Sequence, residues 1–285
     1  MRLLIGLLSC LLLAVPAAAA PGLWVIRDAD TEVTIFGTVH ALPANENWLT
    51  PRLTARLDAA DTLVIETILP EDPQVMQALV TQLGMRPGLK PLAKRLPKAD
   101  AAKLAPAVAA AGLPMPALDG MATWLAAVTI SEAVLSRIGV TADSGVEPAL
   151  TARARAQGKA IVGLETPAEQ LRFLANLPEP DQVAMLAATI TDVGEAGHEV
   201  EALLSAWRAG DVDRIAKDFD GESRASPLLK KVLLTDRNQR WADWISGTMK
   251  RPGTIFVAVG SGHLGGPDGL LAKLAAKGFQ PQPIP

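Results

Sequence analysis

Two stretches of this sequence end in the same way: Thr34-Ile35-Phe36-Gly37-Thr38-Val39-His40 near the start and Ile255-Phe256-Val257-Ala258-Val259-Gly260-Ser261-Gly262-His263 near the end. Each is an apolar run of β type that closes in Gly-x-x-His, and together they hold two of the chain's three histidines. In open α/β sheets, ligands bind outside the carboxyl ends of strands. The repeated pattern therefore predicts two strands that bring two imidazoles, His40 and His263, to one site.

Other segments also have the character of strands. Residues 62–66 and 160–165 are continuous apolar runs of the buried-strand kind, and each ends on a glutamate. Residues 23–27 and 32–36 flank turn-forming residues and predict a hairpin. A last strand is predicted around Phe279.

Helical patterns fill the chain between these strands. Residues 72–140 are rich in alanine and broken by glycine and proline. Thr166 and Glu169 have the spacing of a capping box around Pro167, which predicts a helix start. Further helices are predicted over residues 181–217, 227–249 and 267–277, the first of them broken at Gly210-Asp211.

Strands at the two ends of the chain and around Ile161, with helical blocks between them, predict an α/β (α+β) fold. The expected architecture is a mixed β-sheet core with flanking helices and a large helical insertion around residues 72–140. We expect residues 21–285 to form a single domain.

The first twenty residues have the pattern of an export signal. Arg2 precedes an apolar run over residues 3–15, and a tract of alanines follows. This pattern predicts a signal peptide over residues 1–20, cleaved after Ala19, and a periplasmic or secreted mature protein. The apolar run is shorter than the about 20 residues that a spanning helix needs, and no membrane span is expected after signal cleavage.

Composition narrows the chemistry that the chain can perform. Cys10 is the only cysteine and lies inside the predicted signal, so a metal ion would depend on His, Asp and Glu. The net charge is -3 and there is no long basic run, which argues against nucleic acid as a partner.

Four polar side chains are expected at the carboxyl ends of strands: His40, Glu66, Glu165 and His263. Imidazole and carboxylate are a ligand set for zinc, manganese or iron, so these four are predicted to hold a divalent metal ion. Glu66 is also a candidate general base. The alternatives are structural: the histidines could be hydrogen-bonded scaffold, and the glutamates could cap helices or face solvent.

The helix predicted over residues 227–249 carries a polar pair beside its apolar stripe. Spacing by four from Leu233 places Arg237 on this stripe, and Asn238 lies beside it. A core-facing arginine needs an anion to offset its desolvation. The pair is predicted either to stabilise a developing oxyanion in catalysis or to form a buried Arg–Glu bridge. His198 follows no strand and is interpreted as a surface residue.

The motifs, taken in chain order, resemble those of the TraB/GumN family, whose relatives include the Tiki metalloproteases. The matching phrases are Phe36-Gly37-Thr38-Val39-His40, residues 60–66, residues 158–166 with Glu169-Gln170, Trp207 with Gly210-Asp211, Arg237-Asn238, and residues 259–266. They cover nearly the whole predicted mature chain.

The resemblance implies an α/β core with two Gly-x-x-His motifs. In Tiki-like members it implies a divalent-metal-dependent peptidase that needs those histidines and a glutamate. Matched residue by residue, it points to His40, Glu66 and His263, with Arg237 and Asn238 as supporting site residues.

Two positions depart from the family pattern. Ser261 stands where many relatives have alanine, and Glu147, in Gly145-Val146-Glu147, stands where aspartate is expected. The second departure bears on the geometry of the carboxylate at that position.

The leading hypothesis is an exported metal-dependent hydrolase with peptide bonds as its favoured target and Glu66, Arg237 and Asn238 as catalytic residues. Its partner would be a peptide or a cell-envelope substrate. The alternative is a non-enzymatic envelope protein of the GumN type that binds haem, a metal or a glycan. A third possibility is an inactive relative whose histidines are structural.

Overall fold

The computed structural model describes residues 20–222 and 226–284. The predicted signal peptide, with Cys10, lies outside this part of the chain except for Ala20. No helix in the described ranges is long and apolar enough to cross a membrane.

A six-stranded sheet forms the centre of the molecule, and a two-stranded ribbon lies beside it. The strands are β1 Leu23–Arg27, β2 Thr31–Thr38, β3 Leu42–Pro43, β4 Thr62–Thr67, β5 Val140–Thr141, β6 Ala160–Glu165, β7 Gly253–Gly260 and β8 Gln282–Pro283. The order in the main sheet is β6-β4-β7-β2-β1-β8, and β3 pairs with β5 in the ribbon.

Four neighbouring strands, β6, β4, β7 and β2, run parallel, so their carboxyl ends share one edge of the sheet. In this part of the sheet β4 pairs in parallel with β6 and β7, and β7 pairs in parallel with β2. The last pairs in register are Thr38 with Gly260 and Thr67 with Glu165. Because β1 is antiparallel to both β2 and β8, the sheet is mixed, and the predicted α/β fold class is confirmed.

Helices surround the sheet. They are α1 Pro51–Ala59, α2 Pro73–Gly84, α3 Lys98–Ala111, α4 Met115–Asp119, α5 Thr123–Arg137, α6 Val146–Ala156, α7 Pro167–Ala175, α8 Glu179–Asp192, α9 Ala196–Arg208, α10 Val212–Glu222, α11 Pro227–Lys230, α12 Asp236–Thr248 and α13 Leu270–Ala276.

Three predicted elements differ in detail from the structure. The helical block predicted over residues 181–217 is divided at residues 193–195 as well as at Gly210-Asp211. The helix predicted over residues 227–249 is continuous but contains a π-helical turn, Lys231–Thr235, between α11 and α12. The strand predicted around Phe279 was placed too early, because Phe279 packs against the core while Gln282 and Pro283 pair with β1. The predicted capping box at Thr166 is present at the start of α7.

Alternation along the central strands divides the core into two layers. Successive strand residues point to opposite faces of a sheet. Phe36, Leu63 and Phe256 therefore pack on one face with residues of α1, α6 and α9, and Ile35, Val64 and Val257 pack on the other with residues of α12 and α13. A third apolar cluster joins α3, α5 and α8.

Replacing Phe256 with alanine should lower the free energy of unfolding by about 3–5 kcal/mol. The side chain is 0% exposed, and its ring lies 6.1 Å from the ring of Phe36, so truncation leaves a cavity at the centre of the sheet. Urea denaturation would measure the loss. Leu69, which is 60% exposed, is the control, and Leu69→Ala should change stability by less than about 0.5 kcal/mol. Equal effects at the two positions would contradict this description of the core.

Candidate functional site

The four strand-end side chains lie together at the carboxyl edge of the parallel strands. Oε1 of Glu66 lies 3.8 Å from Nε2 of His40 and 3.9 Å from Nε2 of His263. Glu66 follows the apolar run of β4, and the two histidines follow β2 and β7, the strands of the Gly-x-x-His motifs. The two imidazoles therefore face one carboxylate oxygen.

Arg237 connects this group to Glu165. Its Nη2 donates to Glu66 Oε2 at 2.6 Å and to Glu165 Oε2 at 2.8 Å, and its Nε donates to both oxygens of Glu165 at 3.0 and 3.1 Å. Nη1 donates to the Leu233 carbonyl at 3.1 Å and to His263 Nε2 at 3.1 Å. The arginine side chain is 9% exposed. One buried guanidinium therefore satisfies two buried carboxylates. This is the buried Arg–Glu bridge, one of the two roles that the sequence predicted.

A backbone N–H also donates to Glu66. Gly260 donates to Glu66 Oε1 at 2.7 Å. Burial raises the pKa of Glu66, but the imidazoles of His263 and His40, the charge of Arg237 and this N–H outweigh burial and lower the pKa to about 2. Glu66 is thus a carboxylate at neutral pH.

Asn238 orients His263. The amide nitrogen of Asn238 donates to the Asp268 carbonyl at 2.9 Å, which leaves Oδ1 to accept from His263 Nδ1 at 2.7 Å. Nε2 of His263 consequently carries the lone pair. The ring of Trp241 lies 4.4 Å from the imidazole. Burial, together with the positive charges of Arg237 and His40, outweighs the charge of Glu66 and lowers the pKa of His263 to about 3, so this ring is neutral.

His40 has a different environment, because 62% of its side chain is exposed. Nδ1 donates to Glu147 Oε1 at 2.7 Å, and the Thr38 hydroxyl donates to the same oxygen at 2.5 Å. Desolvation by the surrounding protein lowers the pKa of His40, but the hydrogen bond to Glu147 and the charges of Glu66 and Glu147 raise it to about 9. His40 and His263 therefore differ in exposure, in partner and in basicity.

The outer wall of the site comes from α7 and α12. Gln170 donates to Glu66 Oε2 at 3.3 Å and to Glu165 Oε2 at 3.2 Å. Arg240, which is 51% exposed, donates to Glu165 Oε1 at 3.2 Å. The guanidinium groups of Arg237 and Arg240 each lie 5.4 Å from the ring of Phe173. Both oxygens of Glu165 are thus already bound by protein donors.

The side chains of the site are of the types that bind divalent metal ions, but their donor atoms lie farther apart than the ligand atoms of a bound ion. Neighbouring ligand atoms on a tetrahedral zinc ion lie roughly 3.3 Å apart, which follows from bonds of about 2.0–2.1 Å. The two nitrogen-to-oxygen distances to Glu66 are longer, 3.8 and 3.9 Å. Among residues 20–222 and 226–284, no group of three or more His, Cys, Asp or Glu side chains is arranged to hold a metal ion as it stands.

The space beside Gly260 borders the side chains of Glu66, His40 and His263. A Cβ atom added there would lie 3.2 Å from Glu66 Oε1, 3.2 Å from His40 Nε2 and 3.5 Å from His263 Cδ2. Glycine leaves this space free, and the three groups surround it. The residues present are therefore of types that suit a divalent metal ion, but to ligate one their donor atoms would have to close by about half an ångström.

The sequence predicted most of the residues in this site, but not all of the residues that hydrogen-bond to them. His40, Glu66, Glu165, His263, Arg237 and Asn238 all lie in the cluster, and His198 is exposed in α9, as expected. Glu147 was singled out only as a departure, and Gln170 and Arg240 were not proposed as site residues. Gln170 could have been found from its position one turn into the capped helix that follows Glu165.

These features define an α/β protein with a polar site of paired strand-end histidines on a mixed sheet. The chain belongs to the TraB/PrgY/gumN family, whose model matches residues 22–283. Uncharacterized protein YbaP of Escherichia coli (strain K12) is 23% identical over 246 residues, 86% of this chain and 89% of the relative. The protein of the same name from Shigella flexneri is 24% identical over the same shares. No solved structure matches the chain significantly.

Replacing Arg237 with methionine should destabilise the fold by about 3–5 kcal/mol at neutral pH, because it leaves buried carboxylates unpaired. The depressed pKa of Glu66 means that its charge stabilises the native state above its ordinary pKa and that this contribution is lost as the pH falls through about 2. Without Arg237 the Glu66 pKa should rise, so the deficit of the variant should shrink as the pH is lowered toward 5.

Chemical denaturation at several pH values would measure this effect. Arg240→Met is the matched control: this arginine contacts the same Glu165 but is 51% exposed, so its loss should cost less than about 1 kcal/mol. A deficit in Arg237→Met that does not change with pH would refute the assignment of the bridge.

Proposed function

We propose that this protein is an exported, metal-dependent hydrolase that cleaves peptide bonds in the periplasm or outside the cell. The observation that carries the proposal is the convergence of two imidazole nitrogens, His40 Nε2 and His263 Nε2, on Glu66 Oε1. Family membership is consistent with this activity but does not by itself assign it.

His40, His263 and Glu66 would hold a divalent cation such as zinc, manganese or iron. When bound, such an ion acts as a Lewis acid and lowers the pKa of a coordinated water toward about 7. Both histidines are oriented for ligation, because each Nδ1 donates to a protein oxygen. Nε2 of His263 already has its lone pair, and Nε2 of His40 gains one when that ring loses its proton. Glu66 is the ligand or the general base of the site, as it is ionised at neutral pH.

Glu165 fits the role of a counter-ion better than that of a ligand. Each of its oxygens accepts at least two hydrogen bonds, from Arg237, Arg240 and Gln170. In the described part of the chain, Oε1 of Glu66 accepts one, from the Gly260 N–H. Asn238 likewise orients a ligand, since both ends of its amide are engaged. In this proposal Glu165 is therefore a counter-ion rather than the predicted metal ligand, and Asn238 supports His263 rather than acting directly in catalysis.

Arg237 has a direct role in this proposal. Most of its N–H groups are bound to Glu66, Glu165 and the Leu233 carbonyl. The Nη1 contact to His263 Nε2 would be released once that nitrogen binds a cation. The freed N–H would then face the reacting centre and donate to a developing oxyanion.

A second candidate is the non-enzymatic envelope protein that binds haem, a metal or a glycan. It is favoured by the completeness of the Arg237 network, which satisfies Glu66 and Glu165 with protein donors alone. The absorption spectrum and metal content of the purified protein separate the candidates. A Soret band would indicate haem, whereas a colourless protein with bound zinc or manganese would support the hydrolase.

Replacing His40 or His263 with alanine should remove bound metal and turnover together. Loss of a residue that only hydrogen-bonds to a metal ligand costs about 10–100-fold. The loss of turnover should be larger here, because a ligand itself is removed. Elemental analysis and hydrolysis of a mixed peptide library would measure both. The third histidine, His198, is exposed in α9 and provides the control His198→Ala, which should retain metal and activity. Unchanged metal content in the double variant of His40 and His263 would refute the proposal.

Replacing Gly260 with alanine should weaken metal binding without unfolding the protein. Its backbone angles, φ -51° and ψ 135°, are open to alanine, but the added methyl group would occupy the space between the three donors. Overpacking of about 1–3 kcal/mol corresponds to an affinity loss of about 5- to 150-fold. Gly262 is the control, because a Cβ there meets nothing within 4 Å. Equal metal affinity in Gly260→Ala and Gly262→Ala would contradict the placement of the site.

A further inference from the structure

The position of the His40 ring depends on very few contacts. Its side chain is 62% exposed, whereas that of His263 is 7% exposed and lies against Trp241. Within the described ranges, the hydrogen bond from Nδ1 to Glu147 is the one close polar contact of the His40 ring. Packing therefore holds His263 in place, while His40 relies on one carboxylate.

Glu147 is itself firmly placed. It lies in the first turn of α6, directly after Gly145 and Val146. The Val146 N–H donates to the Val39 carbonyl at 3.2 Å, and a Cβ on Gly145 would lie only 2.1 Å from the His40 carbonyl oxygen. The start of α6 is thus in direct backbone contact with the segment that carries His40.

Thr38 fixes the carboxylate from the opposite side. Its hydroxyl, at the end of β2, is buried and donates to the same Glu147 oxygen that accepts from His40. The oxygen is therefore held by the helix on one side and by the sheet on the other. This arrangement gives an exposed imidazole a rigid partner.

We propose that Glu147 is the positioning residue of His40: its carboxylate, held by Thr38 and the start of α6, keeps the proton on Nδ1 and aims Nε2 at Glu66. The part of this proposal that concerns metal affinity rests on the proposed function. The part that concerns the orientation of the ring does not.

The two histidines consequently have partners of different strength. His263 donates to a neutral amide, and His40 donates to a charged carboxylate. A carboxylate behind an imidazole raises the basicity of the ligating nitrogen, and loss of such a partner costs about 10–100-fold in metal affinity. The negative charge of Glu147 should therefore make His40 the stronger donor of the pair.

The experiment compares Glu147→Ala, Glu147→Gln and wild type, with Glu71→Gln as the control for loss of a carboxylate. Glu71 is 87% exposed, and its nearest ionic partner is Arg155 at 3.7 Å. Nitrogen-15 spectra of the three histidines in metal-free protein, at a pH where the rings are neutral, report which nitrogen carries the proton. Zinc titration by calorimetry reports the affinity.

In wild type and Glu71→Gln, we expect the Nδ1–H form of His40 and equal zinc affinity. Glu147→Ala should shift His40 toward the Nε2–H form and weaken zinc binding by about 10–100-fold. Glu147→Gln should keep the Nδ1–H form, because its amide oxygen still accepts, yet bind zinc more weakly than wild type. Should Glu147→Ala fail to fold, Glu147→Gln still tests the role of the charge through its zinc affinity.

An unchanged His40 spectrum in Glu147→Ala would overturn the positioning role, and unchanged zinc affinity in Glu147→Gln would overturn the role of its charge. Failure of the proposed function looks different. If wild type binds no divalent metal, the hydrolase proposal fails, and the spectra of the metal-free variants still decide whether Glu147 orients His40.

Discussion

The ion pairs of Arg237 are the interaction on which the rest of the site depends. Glu66 and Glu165 end two neighbouring parallel strands, and both carboxylates are more than nine-tenths buried. Without a cation between them, two desolvated negative charges would lie side by side at the sheet edge. Arg237 offsets the repulsion between these charges. At the same time it connects α12 to the ends of β4 and β6.

The π-helical turn before α12 belongs to the same arrangement. It spans Lys231–Thr235 and lies directly before the helix that carries Arg237. Its Leu233 carbonyl accepts from the Arg237 side chain as well. Turns of this kind are rare and often lie at functional sites. Hydropathy spacing predicted the arginine on the buried face, but it does not distinguish an α-helical turn from a π-helical one, so the widened turn was not predicted.

The strand ends could be predicted from the sequence because each signal is local. An apolar run followed by glycine and histidine indicates a buried strand and the point where the chain leaves the sheet. The carboxyl ends of parallel strands lie at one edge of the sheet. The partners of these residues could not be predicted in the same way. Glu147 is more than one hundred positions from His40, and their contact depends on how α6 meets the end of β2. The predicted metal role of Glu165 shows the same limit, since Arg237 and Arg240, which occupy its oxygens, come from α12, more than seventy positions along the chain.

The charge balance around the paired histidines depends on the protonation of His40. Three glutamates, at positions 66, 147 and 165, lie in contact with the guanidiniums of Arg237 and Arg240 and with two imidazoles. With both imidazoles neutral, the carboxylates exceed the two arginines by one negative charge. The raised pKa of His40 compensates for this excess, because its ring is protonated at neutral pH. In the proposed function, a divalent ion bound to Nε2 would take the place of that proton.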